Sequence, residues 1–266
     1  MSQHEEVQWI EPCKGYRFQP RQLTVDREEQ TRLVSLCGID PSIFGDCIDP
    51  SGFISLAIQE GVRNRIHSNG TVNMVNTLVQ HRPMRLGEPL TVTGEILDVE
   101  EVPRGRVATS EARYANANGE LAATSRRRSL RPDPAKAGTR GAGEKPVTVI
   151  EDVERLKALG TFTLDPEDVK AYGGPHNPIH FDPEAARRGG FRAPIIGGGQ
   201  GVRFLTAEIW RRFEPQAIDL DIYFRRPIFW DDTFTVMVDE DRGVWRAIGL
   251  IKEGKVATEA RVKLIA

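Results

Sequence analysis

The sequence is most informative between residues 171 and 200, which read AYGGPHNPIHFDPEAARRGGFRAPIIGGGQ. Pro175, Pro178 and Pro183 exclude a regular helix through the first part of this stretch, because proline lacks the backbone N–H and clashes with the preceding turn. His176 and His180 therefore need not share a helical face, as the paired histidines of a helical zinc motif do. We expect no metal site here.

A glycine-rich segment, Gly197–Gly201, ends the stretch and coincides with the start of a helix predicted over Gly198–Phe213. The first turn of a helix presents unpaired N–H groups, and glycines allow a ligand to approach them closely. A histidine that faces such donors suits acid–base chemistry on a carbonyl compound. The residues alone leave a second interpretation open, in which the glycines serve helix–sheet packing and the histidines cap loops.

The two halves of the chain resemble each other. Arg82-Pro83 and Arg226-Pro227 lie 144 residues apart, and each pair is followed by a short polar turn and an alternating apolar run. In the first half, Ile54–Val62 carries apolar residues at helical spacing, as Gly198–Phe213 does in the second. One long helix followed by several strands in each half predicts an α+β fold with an antiparallel sheet, built from a duplicated unit.

A change of composition separates the halves. Residues 131–147 contain three prolines, three glycines and no aromatic residue, which is typical of a surface linker. We therefore predict a first domain over residues 1–130, a linker over 131–147, and a second domain over 148–266 that carries the site.

The segment Asn177–Pro183, with Gly190-Phe191 and Pro194-Ile195 in register, resembles the MaoC-like (R)-specific enoyl-CoA hydratases and 3-hydroxyacyl-thioester dehydratases. The resemblance implies a double hot-dog fold, in which each half is a long central helix wrapped by an antiparallel sheet. It also implies an acyl tunnel between the halves. The first half would be a degenerate copy, since Phe44 stands where the second half has His180.

The same resemblance implies the roles of the site residues. His180 and Asn177 match positions of the family's catalytic motif. Gly198 matches the glycine whose amide binds the thioester carbonyl, and Gly197 beside it replaces a histidine of the family pattern.

Pro175 stands where the family has its catalytic aspartate, and a proline side chain transfers no proton. His176 is the nearest titratable residue that could replace this aspartate, and Asp182 is a second candidate that could instead cap a loop. We predict a hydratase or dehydratase acting on an enoyl or 3-hydroxyacyl thioester, possessing an acid–base pair that differs from the family's. Two alternatives stay open: a non-catalytic acyl-binding or partner subunit of a hot-dog dehydratase complex, and an isomerase or conjugate-addition enzyme with a single histidine.

We expect the substrate to be carried on coenzyme A or an acyl-carrier protein, with no further cofactor. Arg187 and Arg188 are candidate contacts for the carrier's phosphates, because their guanidinium groups bind phosphate oxygens. Arg126–Arg128 is a second basic run of the same kind. In the first half, Asp40 and Asp46 are the carboxylates considered for the shared interface.

Composition limits the partners. The 266 residues carry 36 Lys and Arg against 38 Asp and Glu, a net charge of −2, which argues against a nucleic-acid partner. No apolar run approaches the roughly 18–20 residues of a membrane helix. Three cysteines without a CxxC pair suit a reducing compartment, so we expect a cytoplasmic protein. The resemblance to the MaoC-like family also allows a homodimer or a pairing with another hot-dog protein.

Overall fold

The computed structural model describes residues 8–68, 70–136, 141, 146–173 and 177–266. The strands of the first half are β1 Arg21–Leu23, β2 Val72–Gln80, β3 Leu90–Val102, β4 Gly105–Ala115 and β5 Leu121–Pro132. Those of the second half are β6 Lys157–Thr163, β7 Ile218–Phe224, β8 Thr233–Asp241, β9 Val244–Lys252 and β10 Lys255–Ile265. The α-helices are α1 Arg27–Ser35, α2 Gly52–Arg63, α3 Pro166–Gly173, α4 Pro183–Arg188 and α5 Gly198–Phe213.

All ten strands form one antiparallel sheet in the order β1-β3-β4-β5-β2-β7-β10-β9-β8-β6. In each half, the strands run from the outer edge of the sheet to its centre in the same order: the first strand of that half, then its third, fourth, fifth and second. The halves meet where β2 pairs with β7. This arrangement confirms the predicted α+β fold with an antiparallel sheet and the double hot-dog architecture.

The register at this junction reproduces the sequence repeat. In the β2–β7 pairing, Thr77 lies opposite Asp221, which is 144 residues further along the chain. The offset of 144 relates Asn76 to Leu220 and Leu78 to Ile222, so it exchanges the two neighbouring pairs Asn76–Ile222 and Leu78–Leu220. The Thr77–Asp221 pair therefore lies on the pseudo-two-fold axis between the halves. The Thr77 hydroxyl donates a hydrogen bond of 2.8 Å to the Asp221 carboxylate, which marks the register with a polar contact.

The long helices pack on one face of the sheet, as their apolar periodicity predicts. Helix α5 occupies the predicted residues, and all of its residues from Gly199 to Trp210 are buried. Phe204 in α5 contacts Phe162 and Phe234 of the sheet, with ring centroids 4.8 and 4.9 Å apart. Each such buried side chain contributes about 1.5–3 kcal/mol. Within the described residues, no helix combines the length and apolar character needed to cross a bilayer.

The structure modifies the predicted linker at one end. Strand β5 continues through Pro132, two residues into the predicted 131–147 segment, because Arg131 and Pro132 still pair with β4. Residues 137–140 and 142–145 lie outside the described part of the chain. After the linker, the backbone N–H of Ile150 donates a 2.7 Å hydrogen bond to Glu259 of β10. The domain boundaries themselves stay a prediction.

A buried ion pair joins the two halves next to the helices. Arg203 of α5 donates to Asp49, which precedes α2, over 2.6 Å, and the side chains are 3% and 1% exposed. Thr206 donates to the other oxygen of the same carboxylate at 2.8 Å. A buried charge that loses its partner is costly because water cannot replace that partner.

We predict that Arg203→Met lowers the free energy of unfolding by about 3–5 kcal/mol, because Asp49 is left as an uncompensated buried charge. Arg17→Met is the matched control. Arg17 is 86% exposed and contacts Glu95 at 3.6 Å, so its loss should cost less than about 1 kcal/mol. Urea denaturation of both variants measures the difference. Equal stability losses would show that the pair does not hold the halves together.

Candidate active site

His180 is held in one orientation by its own local fold. Residues Pro178–His180 form a short 3₁₀ turn, and the Nδ1 atom of His180 lies 2.7 Å from the carbonyl oxygen of Ile195. A carbonyl oxygen only accepts hydrogen bonds, so Nδ1 carries the proton in this contact. In the neutral ring, Nε2 is then the lone-pair nitrogen. The Asn177 amide nitrogen lies 3.2 Å from Nε2 and donates to it.

The same environment keeps His180 neutral. Burial lowers the pKa of the imidazole below its ordinary value, and the hydrogen bond to the Ile195 carbonyl opposes part of this effect. A positive charge in a buried site loses its hydration, so the neutral form persists to lower pH than in a solvated histidine. His180 is therefore suited to accept a proton at Nε2.

Two glycines leave room for the imidazole. A Cβ on Gly173, at the end of α3, would lie 3.0 Å from the Cβ of His180. A Cβ on Gly197 would lie 3.9 Å from Nε2. Gly197 is the N-cap of α5 and has no side chain to bond the first N–H groups. Nε2 therefore faces the start of α5, where those backbone donors are free of a side-chain cap.

The first half of the chain supplies polar atoms to the same place. A Cβ on Gly198 would lie 2.8 Å from the Asn73 amide nitrogen and 3.1 Å from the ring of Phe224. A Cβ on Gly199 would lie 2.5 Å from the Ser55 hydroxyl. The helix start is thus covered by Asn73 of β2 and Ser55 of α2, so the site lies between the two halves.

The structure brings together four of the predicted site residues, namely His180, Asn177, Gly197 and Gly198. His176 and Pro175 lie outside the described residues, so their assignments stay predictions. Asn73 and Ser55 were missed by the sequence analysis. Asn73 is a polar residue in an otherwise strand-like run, and this is the signal that could have identified it.

The candidate phosphate contacts lie on α4, between His180 and Gly197 in the sequence. Arg187 and Arg188 are exposed on α4, where Arg188 lies 3.8 Å from Glu184. Their role as contacts for the carrier's phosphates stays a prediction. Asp182 caps α4 by accepting the N–H of Glu184 at 2.8 Å, which accounts for this carboxylate structurally.

The corresponding turn of the first half has no acid–base group at the position of His180. Phe44 is buried there and packs against Trp210, with ring centroids 5.7 Å apart. Asp40 caps its own turn by accepting the N–H of Ser42, and Asp46 pairs with Arg27 at 2.7 Å. Both carboxylates therefore have local structural partners. Among the residues that the structure describes, no group of three or more His, Cys, Asp or Glu side chains could hold a metal ion.

Taken together, the cluster provides one neutral base and a set of neutral donors. The base is Nε2 of His180, and the donors are the first N–H groups of α5 and the amides of Asn73 and Asn177. Such a set can move a proton and stabilise an oxygen that becomes negative, which are the two requirements of enolate chemistry on a carbonyl compound.

We predict that nuclear magnetic resonance will find His180 protonated on Nδ1, with a pKa below 6.5, the ordinary value for histidine. Asn177→Asp should raise this pKa, because a carboxylate beside Nε2 favours the imidazolium. The ¹⁵N chemical shifts of the ring, followed through a pH titration, measure both the tautomer and the pKa. A pKa at or above 6.5 in the unmodified protein would contradict the assignment of a buried, neutral base.

No protein-family model matches the chain. A curated relative, 3-hydroxyacyl-thioester dehydratase X of Mycobacterium tuberculosis, is 34% identical over 85 residues. The aligned segment spans 31% of this chain and 30% of the relative's length.

Solved structures match over nearly the whole chain. The crystal structure of HtdX from Mycobacterium tuberculosis superposes with a TM-score of 0.73 at 20% identity, over 91% of this chain and 97% of that one. A MaoC-like dehydratase from Phytophthora capsici superposes with a TM-score of 0.68 at 14% identity, over 94% and 97% of the two chains. The resemblance inferred from Asn177–Pro183 is thus confirmed in the fold: the chain has the double hot-dog fold of the MaoC-like dehydratases.

Proposed function

We propose that the protein catalyses the reversible dehydration of a 3-hydroxyacyl thioester to the 2-enoyl thioester. The observation that carries this proposal is the position of Nε2 of His180, which faces the glycine start of α5. A base and an oxyanion-binding helix terminus in this arrangement fit a reaction that passes through an enolate. The curated relative's name and the resemblance of Asn177–Pro183 support the same class of substrate.

In the proposed reaction, the thioester carbonyl oxygen accepts a hydrogen bond from the N–H of Gly198. Nε2 of His180 removes a proton from the α-carbon, and the electron pair of that C–H bond moves to the carbonyl oxygen as an enolate. The imidazolium then gives the same proton to the 3-hydroxyl group as the C–O bond breaks. The enolate electrons form the α–β double bond, and water leaves.

One histidine can serve both proton transfers when the α-proton and the hydroxyl leave from the same face. This accounts for a site without the aspartate that Pro175 replaces in the sequence pattern. Asn177 would hold the departing hydroxyl or the water beside Nε2, using the amide that donates to the ring in the free protein. In the hydration direction, the same nitrogen takes a proton from water and delivers it to the α-carbon.

This reaction needs only proton transfer and oxyanion stabilisation, so we propose that it uses no resident cofactor. The acyl group would be carried on coenzyme A or an acyl-carrier protein. We propose a cytoplasmic location, which Cys13, Cys37 and Cys47 support because all three are free thiols. A homodimer, or a complex with a second hot-dog protein, stays a proposal that sedimentation of the purified protein would test.

We predict that the protein hydrates trans-2-enoyl-CoA substrates, and that His180→Ala lowers kcat by about 10²–10⁴-fold because the base that faces the helix start is lost. His81→Ala is the control, since His81 is exposed and follows the opposite end of β2 from Asn73. Loss of absorbance from the conjugated thioester measures the rate over several chain lengths.

Equal rates for the wild type and His180→Ala would contradict the role of His180. A wild type without turnover that forms a stable complex with another hot-dog protein would instead favour the alternative of a non-catalytic partner subunit.

A further inference from the structure

We propose that Asn73 of the first half is a second donor to the oxygen that becomes negative, and that Arg127 positions its amide. The proposal rests on the proposed function, because it assigns both residues to the same reacting oxygen. It adds a side-chain donor from the first half to the backbone donor of Gly198.

The contact with Arg127 fixes which way the Asn73 amide points. Nε of Arg127 lies 2.6 Å from Oδ1 of Asn73, and Nη2 lies 2.7 Å from the Thr71 hydroxyl. A guanidinium group has donors and no acceptor, so the atom of Asn73 that meets it is the amide oxygen. The NH₂ group therefore points away from Arg127.

That NH₂ group points at the start of α5. Its nitrogen lies 2.8 Å from the position a Cβ would take on Gly198. In a helix, the Cα–Cβ direction tilts toward the N-terminus, which is the end where the first N–H groups are unpaired. The Asn73 amide thus lies on the side of Gly198 where a ligand of the helix start would bind.

Arg127 differs from its neighbours on β5 in what it contacts. Arg126 and Arg128 point to the other face of the sheet, where they pair with Glu111 and Glu100. Arg127 lies opposite Asn76 on β2, and in the described part of the chain it contacts no carboxylate. Burial lowers its pKa to about 10, so it remains a cation at neutral pH.

The surrounding inner face of the sheet is polar as well. Asn76 and Ser125 are both fully buried, and their side-chain polar atoms find no hydrogen-bond partner among the described residues. Buried polar groups without partners are uncommon in folded proteins. A cation without a carboxylate partner, such as Arg127, adds little to the stability of the fold, but it stabilises a negative charge that forms nearby. This is the environment expected beside an oxygen that becomes an enolate.

Asn73→Asp separates a donor from a merely structural residue. The carboxylate keeps an oxygen for Arg127 and lies near the positive end of α5, so the fold is retained. The substitution removes the N–H donors and places a negative charge beside the enolate oxygen. One lost donor of this kind typically costs about 10²–10³-fold in kcat.

We expect Asn73→Asp to lower kcat for enoyl-CoA hydration at least about 100-fold, with KM and the melting temperature nearly unchanged. Arg127→Gln should lower kcat by a smaller factor, because the amide is kept but no longer oriented. Arg106→Gln is the control, because Arg106 lies on β4, is 45% exposed and pairs with Glu11 and Glu101, and this variant should retain wild-type kcat. If the wild-type protein is active and Asn73→Asp has the same kcat, the role of Asn73 as a donor is overturned, whereas the proposed dehydratase function is retained.

A second readout does not depend on turnover. Acetoacetyl-CoA forms an enolate with a distinct near-ultraviolet absorbance, so donors at the carbonyl oxygen should increase that band when it binds. We expect the band with the wild-type protein and with Arg106→Gln, and its loss in Asn73→Asp. If the wild-type protein shows no turnover and the enolate band is lost only in Asn73→Asp, the proposed dehydratase function is contradicted. The assignment of Asn73 as a donor is then supported. If the band is absent from the wild-type protein, or unchanged in Asn73→Asp, the assignment of Asn73 as a donor to the carbonyl oxygen is overturned.

Discussion

The antiparallel pairing of Val75–Gln80 with Ile218–Tyr223 joins the two five-stranded halves into a single sheet. It also determines which atoms of the first half can reach the site, because side chains alternate between the two faces of a strand. Thr77 and Asp221 mark the register on the pseudo-two-fold axis with a hydrogen bond of 2.8 Å. A slip by one residue would turn the inner side chains of β2 to the opposite face of the sheet. Asn73 lies beside Gly198 only in the observed register.

Within this frame, the two halves contribute different chemistry. The second half provides His180, whose tautomer is fixed by the Ile195 carbonyl, and the uncapped start of α5. The first half has Phe44 in place of the histidine, and its copy of the turn is part of the core. Its contribution is a set of neutral donors, Asn73 and Ser55, together with the cation Arg127. The proposed function therefore depends on a duplicated unit whose copies have diverged into a base-bearing half and a donor-bearing half.

Much of the fold could be predicted from local patterns. Helix α5 follows from the apolar spacing between Gly198 and Phe213, and the duplication follows from an offset of 144 that the β2–β7 register reproduces. The cluster of His180, Asn177, Gly197 and Gly198 was predicted because all four lie in one short stretch that resembles the catalytic segment of the MaoC-like family. Asp182 as a helix cap also follows from its position before Pro183, a common N-terminal pattern.

The residues that sequence analysis missed come from the other half of the chain. The proximity of Asn73 to Gly198 arises from strand pairing across more than a hundred residues, which no local pattern indicates. Arg126–Arg128 was treated as one basic run, although alternation along β5 turns Arg127 inward and its neighbours outward. The end of β5 at Pro132 was missed because proline and glycine content predicted a linker, whereas pairing with β4 continues the strand.

The proposed function requires that the thioester bind between the halves, at the start of α5. A crystal structure with a bound, unreactive 3-hydroxyacyl thioester analogue tests this most directly. We expect a carbonyl oxygen within about 3.2 Å of both the Gly198 nitrogen and the Asn73 amide nitrogen, with the 3-hydroxyl group in contact with Nε2 of His180. An analogue bound with its carbonyl away from α5, or with no group in reach of His180, would contradict it.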